Sequence, residues 1–264
     1  MKSQKNESKQ VPNTESAGAT SIKDLTVWDR LTNLIEENDH SAKHLLELWP
    51  AYVRRMHIPR FLAHYELFKH VIDIPGCVVE LGVFRGSSLF TWAKLMETFC
   101  PGDRKRLVFG FDSFEGLQNF HEKDGALDPA GAKEVGAYSA GSVRDEIREL
   151  VNICNEDNFI KGNERCKLIE GDIEETLPIF LENNPGLRIS LLHLDMDIYK
   201  PTKFALEKLF PLVVKGGVVV FDEYGLMPWE GESNAAEEYF KEIGFEPAMK
   251  KFPTATCPHG YFIK

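Results

Sequence analysis

No stretch of this 264-residue chain approaches the roughly 20 consecutive apolar residues that a membrane-spanning helix needs. No apolar signal-type segment follows Met1 either, so the expectation is a cytoplasmic protein. Basic residues are in deficit. Lys and Arg number 31 against 41 Asp and Glu, and the net charge of −10 gives no electrostatic case for nucleic acid or an anionic membrane surface. The five cysteines are odd in number and form no C-x-x-C, which argues against a disulfide framework or a zinc knuckle. G-x-G-x-x-G, the dinucleotide fingerprint, is missing as well. These absences leave a small molecule as the expected partner.

What is present is ordinary globular material, 43% hydrophobic and 27% charged, long enough for one sizeable α/β domain. Residues 1–24 are polar and free of aromatics, and read as a disordered lead-in. The remainder, 25–264, reads as a single domain with a helical extension over 25–71. In that extension Leu25, Trp28, Leu31, Leu34 and Ile35 share one helix face, a second helical stretch covers 41–56, and a third follows Pro59.

Beyond it, short apolar runs alternate with helical periods. Strands are expected at 77–82, 106–112, 166–172, 188–197 and 217–223, and helices at 87–99, 142–156, 174–183, 201–214 and 233–243. Two further strand-like pieces, 246–252 and 260–264, should form an antiparallel edge hairpin. The pattern predicts a Rossmann-like α/β fold, a seven-stranded, mostly parallel sheet with helices on both faces.

In such a sheet, ligands bind at the carboxyl ends of the strands. This chain places acids there repeatedly: Glu80, Asp112, Asp172, Asp195 with Asp197, and Asp222 with Glu223. One acid after a strand is commonly a helix cap. Five consecutive strands ending so form a constellation. In "ELGVFRGSS", Gly82 and Gly86 permit a close turn into a helix that Ser87 or Ser88 can cap, and Glu80 suits a ligand bearing an amino group. Asp112 is placed to accept from ribose hydroxyls, and Asp172 lies on the adenine side. Together these acids suggest S-adenosylmethionine, bound by Glu80, Gly82, Gly86, Ser87, Ser88, Asp112, Ser113, Asp172 and Asp195.

The segments "VVELGVFRGSS", "VFGFDSFEGL", "IEGDIEETLP", "LLHLDMDIYKPT" and "GGVVVFDEYG" occur in an order and spacing that resemble the macrocin O-methyltransferase family. The resemblance covers residues 60–262, and its most specific element is D-x-D-x-Y-x-x-T. It implies a class I S-adenosylmethionine-dependent enzyme that methylates sugar hydroxyls of secondary metabolites. It also implies Mg²⁺ at Asp195, Asp222 and Glu223, where the family commonly has Asp-Asp in place of Asp222-Glu223. Hard oxygen donors at one sheet edge suit that cation. Only Lys200 and Lys215 are near these acids in sequence, so neutralisation by packing is not expected.

Under the same resemblance Asp197 is the general base that takes the acceptor's proton. The alternative is that Asp197 merely caps the following helix. His193 is a second candidate base, an acceptor contact, or a structural histidine. Segment 113–141 is too long for an ordinary connection and is expected to be a lid over the acceptor. Trp229, in "MPWEGES", either stacks on an acceptor ring or packs its own loop. The pair Cys257 and His259 reads as a metal fragment without partners. Competing readings are a catechol or other diol as acceptor, or a nicotinamide-dependent oxidoreductase on a similar fold. Homo-oligomerisation is expected, with 25–71 available as an interface.

Overall fold

The structure, a computed structural model, describes residues 22–128 and 132–264, with only the backbone described at 22–24. Most of the lead-in expected over 1–24 therefore lies outside the described residues, although helix α1 (Ile22–Glu37) already begins at Ile22. The chain divides into two compact units, Met1–Ile58 and Pro59–Lys264. The expected extension over 25–71 is thus split, and the helix after Pro59 goes with the larger unit.

The smaller unit carries α1, α2 (Ala42–Glu47) and α3 (Trp49–Tyr52). The helix expected over 41–56 is broken at Leu48, and Pro50 opens α3 within its first two positions. Ser41 caps α2 by accepting from the His44 amide.

The larger unit is a six-stranded sheet in the order β3-β2-β1-β4-β5-β6. Its strands are β1 (Cys77–Leu81), β2 (Val108–Asp112), β3 (Cys166–Glu170), β4 (Ile189–Leu194), β5 (Val213–Phe221) and β6 (Gly260–Ile263). All neighbours are parallel except β5 and β6. The seventh strand expected over 246–252 does not form. Lys250 and Tyr261 exchange a single pair of backbone bonds, and Pro247, which has no N–H, removes one ladder donor from that segment.

Alternation along the strands divides the core. Val79, Leu81, Phe109, Phe111, Leu192, Leu194 and Phe221 pack beneath helices α7 (Ile173–Asn183), α8 (Tyr199–Leu209) and α9 (Glu230–Glu242). Val78, Val108, Leu191, Val218 and Val220 face the other way, onto α4 (Ile58–Lys69), α5 (Ser87–Phe99) and α6 (Arg144–Glu156). On that second face the register sets Glu80 of β1 beside His193 of β4. An all-parallel core with both faces covered wants apolar residues throughout, so this adjacent charged pair calls for a chemical explanation.

Between β2 and α6, the described residues of 113–141 are folded onto the body. His121 and Asp124 make a reciprocal capping box, and Asp124 is buried while also accepting from the Tyr199 amide at the start of α8. Lys133 is only 1% exposed, and its ammonium donates to the Asp124 and Pro228 carbonyls and to Glu230 Oε2. The expected lid is thus docked against the loop before α9.

Candidate active site at the carboxyl edge of the sheet

The turn after β1 brings two strands into near contact. Gly82 has φ +92, and a Cβ there would lie 1.7 Å from the Asp195 carbonyl oxygen. Only glycine fits so close an approach. Gly86, φ +85, is the N-cap of α5 and has no side-chain cap bond. The expectation that Ser87 or Ser88 caps the helix therefore fails. Ser87 is exposed, and Ser88 is buried with its Oγ 3.2 Å from Arg60 Nη2, where it accepts.

Asp112 ends β2 with both oxygens engaged. Oδ2 accepts from the Phe84 amide and Oδ1 from the Phe114 amide, each at 2.6 Å. Burial raises its carboxyl above the ordinary range, partly offset by these bonds. Asp112 therefore clamps the glycine turn, at Phe84, to the loop after β2, at Phe114, and a remaining lone pair can accept from a hydroxyl. Ser113 accepts from the Glu115 amide through Oγ. Asp172 is exposed and caps α7 by accepting from the Glu174 amide at 2.7 Å. For Asp172 the plain capping role is what the structure displays.

Glu80 and His193 do not line an open cleft. Both are fully buried, with His193 Nδ1 3.5 Å from Glu80 Oε2 and its Nε2 3.4 Å from Asp222 Oδ1. Trp92 Nε1 stands 3.4 Å from the same Nδ1. Burial disfavours the imidazolium, but Asp222 and Glu80 outweigh it and raise the histidine to about 10. Burial pushes Glu80 up in turn, against the pull of His193. The placement expected for Glu80 at a ligand amine and for His193 at an acceptor is not what the geometry offers. The ring stands between Glu80 and Asp222 beneath the site.

Above it lies the acid cluster. Asp195 and Asp222 face Arg60 of α4, whose Nη2 and Nη1 are 2.9 Å from Asp195 Oδ2 and Asp222 Oδ2. The expectation of no packed counter-ion is corrected here, because a cation distant in sequence supplies one. Burial works against the Asp222 charge, but Arg60 and His193 hold its carboxyl below the usual range. The other acids go the opposite way. Burial and the Asp222 charge raise Asp195 well above its ordinary value despite Arg60. Burial, with the charges of Asp197 and Asp222, does the same for Glu223. Asp197 is pushed up to about 7, chiefly by burial and then by Asp222, while its bond to Glu223 opposes the rise.

Asp197 is half-buried and holds a left-handed backbone, φ 62. It is no cap: the N-cap of α8 is Ile198, which makes no side-chain cap bond. Oxygens of Asp195, Asp197 and Glu223 lie within 4.8 Å of one another. A further acid, Glu232 on α9, is completely buried, and its Oε1 accepts from the Glu223 amide at 3.0 Å. Glu223 Oε2 and Glu232 Oε2 are enclosed without a hydrogen-bond partner. Mutually raised carboxylates with orphaned buried oxygens are what a bound divalent cation would relieve, so these residues fit a hard metal ion.

Arg60, Glu232 and Cys257 are the site members that the sequence reading missed. Arg60 is 135 residues from Asp195, and nothing local marks it. Glu232 falls inside the quoted "MPWEGES", read there as loop, whereas α9 starts at Glu230. Cys257 was set aside with His259, yet its sulfur lies within 4.8 Å of oxygens of Asp222 and Glu223. Trp229 is 7% exposed and packs with Leu117, Ile198 and Tyr138, so it serves the loop rather than facing a ligand.

Comparison with known proteins gives a consistent picture. Residues 6–255 match the macrocin-O-methyltransferase (TylF) family, a longer span than the resemblance over 60–262. Over 194 residues the chain is 32% identical to 8-demethyl-8-(2,3-dimethoxy-alpha-L-rhamnosyl)-tetracenomycin-C 4'-O-methyltransferase of Streptomyces olivaceus, covering 72% of this chain and 70% of that one. Over 183 residues it is 30% identical to demethyldecarbamoylnovobiocin O-methyltransferase of Streptomyces niveus, covering 68% and 66%. The crystal structure of the calicheamicin methyltransferase CalS11 is similar with a TM-score of 0.83 at 26% identity, over 99% of each chain.

Proposed function

Because this chain belongs to the macrocin O-methyltransferase family, we propose that it methylates a hydroxyl of a deoxysugar or similar small natural-product acceptor. The methyl donor is S-adenosylmethionine and the cation Mg²⁺. The family membership makes the chain an O-methyltransferase and removes the nicotinamide-dependent alternative. Relatives that carry sugar acceptors in their names, including a TDP-rhamnose 3'-O-methyltransferase, support the sugar.

The observation that carries the chemistry is the contrast between Asp197 and His193. Asp197 is half-buried and keeps some solvent contact, whereas His193 is sealed. Asp197 is therefore the base that receives the acceptor's hydroxyl proton as the oxygen takes the methyl group. Asp195, Asp222 and Glu223 would hold the cation, Asp222 through the lone pairs that Arg60 and His193 leave. Bound there, Mg²⁺ would make the acceptor hydroxyl more acidic. Arg60 holds the Asp195 and Asp222 carboxylates, and Glu232 fixes the Glu223 backbone by accepting from its amide. On the donor side, the Gly82–Gly86 turn and Asp112 form the cradle, and Asp112 accepts from ribose hydroxyls.

The test is an acceptor panel of TDP-deoxysugars, glycosylated natural products and catechols, with products identified by mass. Methylated sugar products are expected. Methylation confined to catechols would overturn the sugar acceptor. In the same assay Asp197→Asn should lose turnover while binding S-adenosylhomocysteine as the wild type does. Retained turnover would remove Asp197 as base.

A further inference from the structure

Cys257 lies in the turn between Lys250 and β6, half-buried, with its sulfur turned toward the acid cluster. One oxygen each of Asp222 and Glu223 and this sulfur lie within 4.8 Å of one another. Asp222 and Glu223 are themselves 3% and 7% exposed, and the Glu223 Oε2 atom is enclosed without a partner. Among the described residues no other cysteine belongs to such a group of three donors. The Cys257 thiol hydrogen-bonds to Asp222, a contact that metal binding would replace.

A magnesium site has no use for sulfur, because that cation takes oxygen donors. Two carboxylates and a thiol, one carboxylate oxygen being buried and unpaired, form the mixed donor set that borderline and soft divalent ions favour. We propose that Asp222, Glu223 and Cys257 form a binding site for a thiophilic divalent cation of the zinc and cadmium class, on the Cys257 side of the acid cluster. On binding, the sulfur–hydrogen bond breaks, the sulfur–metal bond forms and the proton passes to water, with no change of oxidation state. The site shares two carboxylates with the proposed magnesium ligands, but the thiol sets it apart, and it does not depend on the methyltransferase reading.

The experiment titrates cadmium chloride into the full-length protein, kept reduced with a phosphine. The reading is the ultraviolet sulfur-to-cadmium charge-transfer absorbance. A single saturating band is expected, absent in Cys257→Ser. Glu223→Gln should weaken cadmium binding roughly tenfold or more. A band that survives in Cys257→Ser would put the metal on another thiol and overturn the site. Unchanged affinity in Glu223→Gln would overturn it too, since the thiol would then bind alone. Wild-type protein gives an independent reading that needs no variant. Cadmium should protect Cys257 from alkylation, scored by peptide mass, and alkylation at an unaltered rate would refute the proposal.

Discussion

Arg60 and Asp222 form an ion pair across 162 residues of sequence, with Nη1 2.9 Å from Oδ2, and the same guanidinium reaches Asp195 through its other nitrogen. A planar fork of this kind can bind two carboxylates at once, which a lysine ammonium does with less geometric definition. Replacing Arg60 by Met keeps the stem and removes the charge. Both acids then face each other with their shared counter-ion gone, and removing one partner of a buried pair costs about 3–5 kcal/mol. Urea denaturation of Arg60→Met in EDTA should show a loss near the lower end, because the pair keeps some solvent contact. A loss of about 0.5 kcal/mol or less, as expected of a surface bridge, would contradict that role.

Gly82→Ala tests the approach of β1 to β4. The new methyl would strike the Asp195 carbonyl, and the left-handed φ adds strain, so destabilisation of about 2–4 kcal/mol is expected. An unaltered melting temperature would mean that the two strand ends part without cost.

How Asp112 is held also makes a prediction. Asn in its place keeps one acceptor oxygen and turns an amide N–H₂ toward the other backbone donor. Loss of one such bond with an unsatisfied group costs about 1–3 kcal/mol. Because one clamped segment is the glycine turn itself, calorimetry should show weaker S-adenosylhomocysteine binding by about tenfold or more in Asp112→Asn. Wild-type affinity would detach Asp112 from the donor side.

Lys133→Met should loosen segment 113–141 from the loop before α9, since its buried ammonium is the tie among Asp124, Pro228 and Glu230. Leaving those acceptors unpaired costs about 1–3 kcal/mol locally. Limited proteolysis should then cut within 113–141 at least ~5-fold faster than in wild type, following the population of the opened loop. Equal cleavage rates would show that the tie is dispensable.

The central strands were legible in sequence because apolar runs of strand length, ended by acids, read the same way in any parallel sheet. Asp195 and Asp197 stood out for that reason. Arg60 was not legible, since a helix from the start of the larger unit meets the β4 and β5 edge only through the fold. The direction in which a strand-end acid points was also beyond pattern reading. Glu80 follows the period of two into the face beneath α4 and α5, Asp172 bends out to cap α7, and Asp112 is consumed by backbone amides. At 246–252 the piece read as strand-like, but Pro247 and a single bridged pair kept it out of the sheet.

Asp197 carries a backbone condition besides its chemical one. Its left-handed φ of 62 is tolerated by glycine, asparagine and aspartate and resisted by β-branched and bulkier side chains. Of those three, only aspartate can receive a proton at neutral pH. A drifting lineage that keeps this turn can therefore lose the base through asparagine or glycine without disturbing the fold. A lineage that tries glutamate keeps the acid but strains the chain. Inactive relatives with an intact sheet edge should accordingly carry asparagine or glycine at this position, and active ones aspartate.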